Sequence, residues 1–583
     1  MCPAWGREEV SSHGPWRSWA QALAEAGYPC VRIDYPGEGD ADGAPEDAAP
    51  LASWVKAAEV AARQLMAATG VTQIVFMGLR WGAVVAWRAA LQVPHAVCVL
   101  AVAPVVRGRA HVRELSAMQA ASSGDDEALS RLGAFQSGGF LLGPGVSEQW
   151  SAVDLAADTA VLPDDVRARL RQVVVLDRED LPAADKWISA LAGQGMEVQA
   201  SRLAGYDDIM ADPHHAHLPD AWVEAGFAGL RQLPCADDAI PPADGDPQRP
   251  WAAESATLTW APWRGDAAAS AADWSALRGA QQEVTERFMR WSDTPALGVL
   301  TLPPGGVATS GDAFLLLNAG STHHIGPSRL WVELARTWAA QGHAVLRLDL
   351  AGLGDAELRP GARLNETYPY AAVDDVRAVV AWLSTQPGVR RVTVGGLCAG
   401  GYHALAAARA GVPMHGILMI NPLVYLDAEG MDLSRQADLG AHQVHSAMAG
   451  YRQAILNPAK WRKLLGGQAN VAVLKRVLQR RLGSALQSAV RTVTRTVGLP
   501  LKGDLARVLQ DVLSAGVQVQ LVFAADDPGL PLLQHEVGSM LDRLQRRPQW
   551  HCTVLPQGDH VFTRWSDRQA LLACLMSTLP RRG

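Results

Sequence analysis

The apolar and polar positions of this 583-residue chain run through one plan twice. In the first copy, Trp19-Ala20-Gln21-Ala22-Leu23-Ala24-Glu25-Ala26 reads as a helix that stops at Gly27. A strand, Val31-Arg32-Ile33-Asp34, follows and ends in the turn Pro36-Gly37-Glu38-Gly39-Asp40. In the second copy, Leu334-Ala335-Arg336-Thr337-Trp338-Ala339-Ala340 stops at Gly342, and the strand Val345-Leu346-Arg347-Leu348-Asp349 ends in Ala351-Gly352-Leu353-Gly354-Asp355. Glycine ends a helix because it takes left-handed backbone without a Cβ clash, and Gly/Asp clusters mark turns. Each copy then continues through a helix into a strand with a Gly-rich bend, Ile74 to Gly82 and Val392 to Gly400. Further apolar strands are predicted at Ala96 to Ala103 and Gly416 to Asn421. Strands alternating with helices imply parallel sheets with right-handed crossovers, an α/β class.

A chain this long exceeds what one core serves, so two domains are expected. Pro234 to Pro250, rich in Pro, Asp and Ala, reads as a linker. The boundaries drawn are 1–235, a linker at 236–250, and 251–583. Little sequence precedes the first Gly/Asp turn, so the early antiparallel strands of the first domain are expected to be missing. A long insertion, about 426–515, falls in the second domain where a helical lid sits.

Composition narrows the class without choosing a function. Hydrophobic content of 49%, charged content of 19% and net charge −7 describe a soluble globular chain with no general attraction to nucleic acid. Seven cysteines without CxxC pairs argue against a disulfide framework or a metal site, and fit a reducing cytoplasm. No run approaches the roughly 18–20 apolar residues of a membrane span, and the N-terminus lacks the apolar core of a secretory signal. No cofactor is expected, and the pattern sets no oligomeric state.

The chemistry centres on Val392-Thr393-Val394-Gly395-Gly396-Leu397-Cys398-Ala399-Gly400-Gly401-Tyr402. A β-branched strand runs into Gly-x-Cys-x-Gly and then into an Ala-rich helix, so Cys398 stands on a sharp strand-to-helix bend that exposes its side chain. The strand Phe314 to Leu317 leads to Asn318-Ala319-Gly320, whose N–H groups at Ala319 and Gly320 are candidate oxyanion donors with that of Ala399. The strand Val517 to Ala524 ends at Asp526-Asp527-Pro528-Gly529; Asp527 is preferred over Asp526 as the acid because of the turn that follows it. After the strand His551 to Leu555 comes Asp559-His560. His560 would take the thiol proton or form a thiolate–imidazolium pair with Cys398, and Asp527 would hold the imidazole and its positive form. His323 and His324, after the oxyanion loop, are candidate substrate contacts. His403, on the helix after Cys398, reads as a packing residue.

In the first copy the bend is Gly78-Leu79-Arg80-Trp81-Gly82. A guanidinium stays protonated and cannot be a nucleophile, so this half is read as non-catalytic. Arg80 is expected to pair with Asp177, at the end of the strand Val173 to Leu176, or to bind an anionic group. His214 or His215 marks the expected counterpart of the histidine loop.

Residues 290–583 resemble an α/β-hydrolase of the serine-aminopeptidase-like type, in its bacterial cysteine-elbow branch. The resemblance rests on Leu317-Asn318-Ala319-Gly320-Ser321, Ile325-Gly326-Pro327-Ser328-Arg329, Gly396-Leu397-Cys398-Ala399-Gly400, Asp527-Pro528-Gly529 and Asp559-His560. The first half resembles exosortase-associated hydrolases through Cys2-Pro3-Ala4-Trp5-Gly6, the Asp34 to Asp40 turn, Gly78 to Gly82 and Pro104 to Arg109. The resemblances imply two α/β-hydrolase-like domains in tandem and a Cys398–His560–Asp527 triad. The substrate they imply is an ester or thioester, taken by a thioesterase, esterase or acyltransferase of a bacterial biosynthetic pathway. Within the insertion, Tyr451 to Ala515 carries 12 Lys/Arg and 2 Asp/Glu, with Leu464, Val471, Val473, Leu474, Val477, Leu478 and Leu482 set among Lys475, Arg476, Arg480 and Arg481. Such a basic amphipathic stretch suits acyl-carrier protein or acyl-CoA as partner. A non-catalytic scaffold and a peptidase are the alternatives.

Overall fold

The computed structural model describes residues 1–46, 49–122, 126–233, 256–261, 279–426 and 503–577. The linker at 236–250, most of the insertion, and its basic face with Arg476, Arg480 and Arg481 lie outside the described residues. Among the described residues, no helix is long and apolar enough to cross a membrane.

The first lobe carries β1 (Ile74–Leu79), β2 (Ala96–Val102), a short hairpin of β3 (Phe135–Ser137) and β4 (Phe140–Leu142), β5 (Gln172–Arg178) and β6 (Glu197–Leu203). Its four-stranded sheet has the order β1-β2-β5-β6, all parallel. The second lobe carries β7 (Ala256–Trp260), β8 (Gln282–Arg290), β9 (Leu297–Leu302), β10 (Asp312–Leu316), β11 (Ala344–Asp349), β12 (Arg391–Leu397), β13 (Gly416–Ile420), β14 (Gln518–Ala524) and β15 (Trp550–Leu555). Its nine-stranded sheet has the order β15-β14-β13-β12-β10-β11-β9-β8-β7. Strands β10 to β15 pair in parallel, while β7, β8 and β9 pair antiparallel at one edge. The α/β class and the repeated plan are therefore present at both ends.

Burial explains why these runs are strands. The strands β10, β11 and β13 are buried throughout, as expected for parallel strands covered by helices on both faces. Leu315, Leu346, Leu348, Val394 and Met419 form one core with the helix Ala372–Leu383. Phe314, Leu316, Val345 and Leu418 form another with the helices Leu330–Ala340 and Trp565–Ser577.

Two expectations are corrected. Val31 to Tyr35 is not a strand. A strand needs a hydrogen-bonded neighbour, and what meets this segment is the Met1 ammonium on the Val31 carbonyl. In the second copy, by contrast, β11 is paired on both sides. The end of the expected insertion is also not lid: Leu505–Ser514 is a helix whose Leu505, Leu509, Val512 and Leu513 enter the core, started by Asp504 accepting from the Ala506 N–H.

The two lobes meet in a reciprocal contact. Arg17 donates to the Gly354 and Ala356 carbonyls; Arg329 donates to the Gly39 and Ala41 carbonyls. Arg32 pairs with Asp355, and Arg347 pairs with Asp40. His13 Nε2 faces Asp355 at 3.3 Å, and His324 Nε2 faces Asp40 at 2.6 Å. Each Gly/Asp turn is thus gripped by the other lobe, and in the pairs Arg32–Asp355 and Arg347–Asp40 both partners stand at equivalent positions of the repeat.

Candidate active site

The order of β12, β10 and β11 places a reversal of strand order at β10, so the loops leaving β10 and β12 diverge and open a crevice. Leu316 lies opposite Gly395, so the two strands deliver Asn318 and Cys398 to the same end of the sheet. Cys398 takes φ 53° and ψ −112° and starts the helix Ala399–Arg409. That backbone is strained for a residue with a Cβ and is held by its surroundings. The Cys398 N–H bonds the Ile420 carbonyl at 2.9 Å. A Cβ on Gly396 would lie 2.7 Å from Gly400 Cα, and one on Gly400 would lie 2.9 Å from the Asn318 carbonyl oxygen. Glycine is therefore required at both, and the oxyanion loop packs directly on the bend. Ala399 opens the helix, so its N–H has no intrahelical acceptor.

Asp527 follows β14, and His560 follows β15. His560 Nδ1 lies 2.6 Å from Asp527 Oδ2. Asp527 is buried, and its second oxygen accepts the Gly529 N–H at 2.8 Å. Asp526 is exposed and makes no such contact with His560. Asn421, at the end of β13, donates to the His560 carbonyl at 2.8 Å and accepts from the Ala524 N–H at 2.9 Å. Burial works against charge on the His560 ring. Cys398, as a negative partner and as a hydrogen-bond partner, and Asp527 outweigh it and raise the ring to about 10. Cys398, His560 and Asp527 are thus brought together, an arrangement in which the imidazole can take a proton from the thiol while the carboxylate holds the ring.

Residues not foreseen from sequence complete the surroundings. Tyr368 is buried against Ala399 and Tyr402. Burial, then the neighbouring Cys398 and Tyr402, hold its hydroxyl well above the ordinary phenol range. Asn318 donates to Asp349 Oδ1 at 2.7 Å and accepts from the Leu350 N–H, tying the start of the oxyanion loop to β11. A tyrosine in a loop and an asparagine after a strand carry no periodic signal. The usable sign was Asp349 and Arg347 within an otherwise apolar strand, since buried charge demands partners.

Other expectations change place. His324 is buried with both ring nitrogens engaged, Nδ1 on Asp349 and Nε2 on Asp40, so it has no nitrogen left for substrate. His323 stacks on His13 with ring centroids 3.8 Å apart, also at the lobe interface. His403 is buried, with Nε2 3.0 Å from the Thr367 carbonyl, as a packing residue. Arg80 has the same backbone as Cys398, φ 53° and ψ −117°, but its partners are Glu8 at 2.7 Å and Glu114 at 2.6 Å. Its charge is neutralised from within, which removes the expected Asp177 pairing and the anion-binding role. Asp177 instead accepts N–H groups of Arg178, Ala183 and Ala184. Tyr206, rather than His214 or His215, supplies the ring beside Arg80.

With this geometry in view, residues 314–573 match the sequence family described as the alpha/beta hydrolase family, and residues 1–109 match that described as alpha/beta hydrolase fold. The chain carries α/β-hydrolase-fold domains at both ends. No curated protein matches it. Among solved structures, it is similar to the α/β hydrolase GrgF from Penicillium sp. sh18, at 16% identity over 56% of this chain and 97% of that one, with a TM-score of 0.29. A lidless α/β serine hydrolase from Xanthomonas campestris is 15% identical over 52% of this chain and 97% of its own, with a TM-score of 0.27.

Proposed function

We propose that this protein, with an α/β-hydrolase fold at each end, is an acyl-transfer enzyme whose working site lies in the second lobe and whose nucleophile is a thiol. Cys398 attacks the carbonyl carbon of an ester or thioester while His560 takes the thiol proton. The carbonyl oxygen becomes an oxyanion, held by the N–H of Ala399 and by that of Ala319 or Gly320. As the tetrahedral intermediate collapses, the bond to the leaving alcohol or thiol breaks, and His560 returns its proton to that group. The acyl group is left on Cys398 as a thioester. Water, or an alcohol or amine acceptor, then attacks it as His560 takes the acceptor's proton, and the thiol is regenerated. Asp527 holds the ring and steadies the imidazolium in both steps.

The observation that carries this reading is the 2.6 Å contact of His560 with buried Asp527, next to a cysteine on a strained strand-to-helix bend. Two family matches favour hydrolysis as the outcome. The basic composition of Tyr451 to Ala515 favours a substrate carried on coenzyme A or an acyl-carrier protein.

The test is intact-protein mass spectrometry after mixing with a panel of acyl-CoA thioesters and p-nitrophenyl esters. An acyl adduct is expected on the wild type, mapping to Cys398 and absent from Cys398→Ala. A panel that leaves no adduct and no turnover, with iodoacetamide showing no preference for Cys398, would overturn it.

A further inference from the structure

The non-catalytic first lobe reaches both loops that build the site in the second. Its hairpin β3–β4 lies between them. The Gln136 side chain donates to the Thr563 carbonyl at 2.8 Å and accepts the Trp565 N–H at 2.9 Å, three and five residues after His560. Asp126 accepts the Ser566 N–H at 2.9 Å, while its other oxygen starts the helix Glu127–Arg131. Arg568 donates to the Gly139 carbonyl at 2.6 Å and to the Thr563 carbonyl at 2.7 Å. On the other side of the hairpin turn stands the loop that leaves β10. A Cβ on Gly139, whose φ is +93°, would strike Ser328 Oγ, so the turn is wedged between Ser328 and Arg568.

Apolar packing follows the same line. Leu129, Leu132 and Leu141 of the first lobe belong to one core with Phe562 and Trp565 of the histidine loop and with Leu330 and Trp331 beyond the oxyanion loop. Asp40 meets His324 in the loop that leaves β10 and Arg347 in β11. Gln136 is buried and spends both ends of its amide on the other lobe's backbone. A side chain serving only its own lobe would have no reason to do so.

We propose that the first lobe is a built-in brace for the second lobe's site, with Gln136 and Asp126 as positioning residues that hold the histidine loop so that His560 stays on Cys398. The inference rests on the Cys398–His560 reading above. It assigns the lobe with Arg80 a role that needs no chemistry of its own. The loop after β15 has Asn421 as its own-sheet tether on His560. Without Gln136 and Asp126 its next residues lose the cross-lobe bonds that fix their backbone.

The experiment measures the rate of Cys398 alkylation by iodoacetamide in the full chain at pH 7 and at pH 9.5, with melting temperature alongside. At pH 7 the thiolate depends on the neighbouring base, whereas in alkaline solution it forms without help. Gln136→Leu keeps volume and removes both bonds. Its rate at pH 7 is expected to fall about tenfold, the rate equivalent of roughly one well-made hydrogen bond, with the rate at pH 9.5 unchanged. A merely structural loss would open the site and change both rates alike. Equal rates for Gln136→Leu and wild type at pH 7 overturn the proposal. Should Gln136→Leu fail to fold, Asp126→Asn, which retains the oxygen that starts its helix, carries the same test with an expected loss of about threefold. His560→Ala separates the two readings. If it does not slow alkylation at pH 7, the Cys–His reading fails; if it does while the bracing variants do not, only the brace fails.

Discussion

Replacing Asp527 by asparagine removes a charge while keeping the shape of the side chain, and the structure dictates which way the new amide faces. One oxygen of Asp527 accepts the Gly529 N–H at 2.8 Å, so the asparagine oxygen must take that place. Its NH2 group then points at His560 Nδ1, 2.6 Å away in the native protein. A donor there forces Nδ1 to accept, which moves the ring proton to Nε2, towards Cys398. The ring then offers the thiol a proton instead of a lone pair, and the stabilising charge behind the imidazolium is gone. General-base help contributes about 10²–10⁴, and a wrong-tautomer substitution in a triad costs about 10⁴. We expect kcat/KM for p-nitrophenyl acetate to fall by roughly 10³–10⁴, because both losses act on one step. The Gly529 contact and the side-chain volume survive, so melting temperature should move by no more than roughly a few degrees. A variant within about threefold of wild-type kcat/KM, against a Cys398→Ala control that is inactive, refutes the role given to Asp527.

Gly400→Ala puts a methyl group 2.9 Å from the Asn318 carbonyl and 3.1 Å from that of Leu317. It should cost about 1–3 kcal/mol in urea unfolding and disturb the oxyanion loop; an unchanged midpoint would sink the close-packing argument. Arg336 is fully buried on Glu286, at 2.8 and 3.2 Å, and donates to the Asp40 and Ala41 carbonyls. Arg336→Met leaves Glu286 with Arg347 at 3.0 Å and the Thr301 hydroxyl, but removes two charge-assisted bonds and the donor to the Asp40 and Ala41 carbonyls; it should destabilise by about 1.5–3 kcal/mol, read from denaturant midpoints. Arg80→Ala should leave ester turnover within about twofold of wild type, since its partners are Glu8 and Glu114 and not the second lobe's site. Burial opposes the charged form of His13, but Asp355 and Glu9 overcome it and raise the ring to about 9. A folded value above the ordinary 6.5 gives stability that is complete below about pH 6.5 and lost as pH rises through about 9. Burial raises Glu38 to about 8, so its contribution is lost as pH rises from about 4.5 to about 8 and adds to the fall only in the lower part of the His13 range. Melting temperature should therefore fall from pH 6.5 to 9.5, and His13→Asn should flatten the slope; an unchanged slope counts against the His13 contribution.

The bend that carries Cys398 was legible because its pattern is local. A β-branched strand, two glycines at fixed spacing and one thiol dictate a bend whatever surrounds them, and a Cβ on Gly396 would lie 2.7 Å from Gly400 Cα, too close for any residue but glycine. The doubled plan was legible because hydrophobic period and turn residues are properties of short windows. The turn after Asp527 favoured it over Asp526, but a local feature could not settle the choice. Both follow the same strand, and only the fold shows which carboxylate turns inward to His560. His323, His324 and Arg80 look the same in sequence whether they face a substrate or a neighbouring lobe. Their partners, His13, Asp40 and Glu8, stand between 72 and 310 positions away along the chain. Sequence determined which chemistries the chain can present and where its bends lie. Tertiary structure alone decided which charges find each other, because a buried ion pair or hydrogen bond is fixed by distance in space, and separation along the chain says nothing about it.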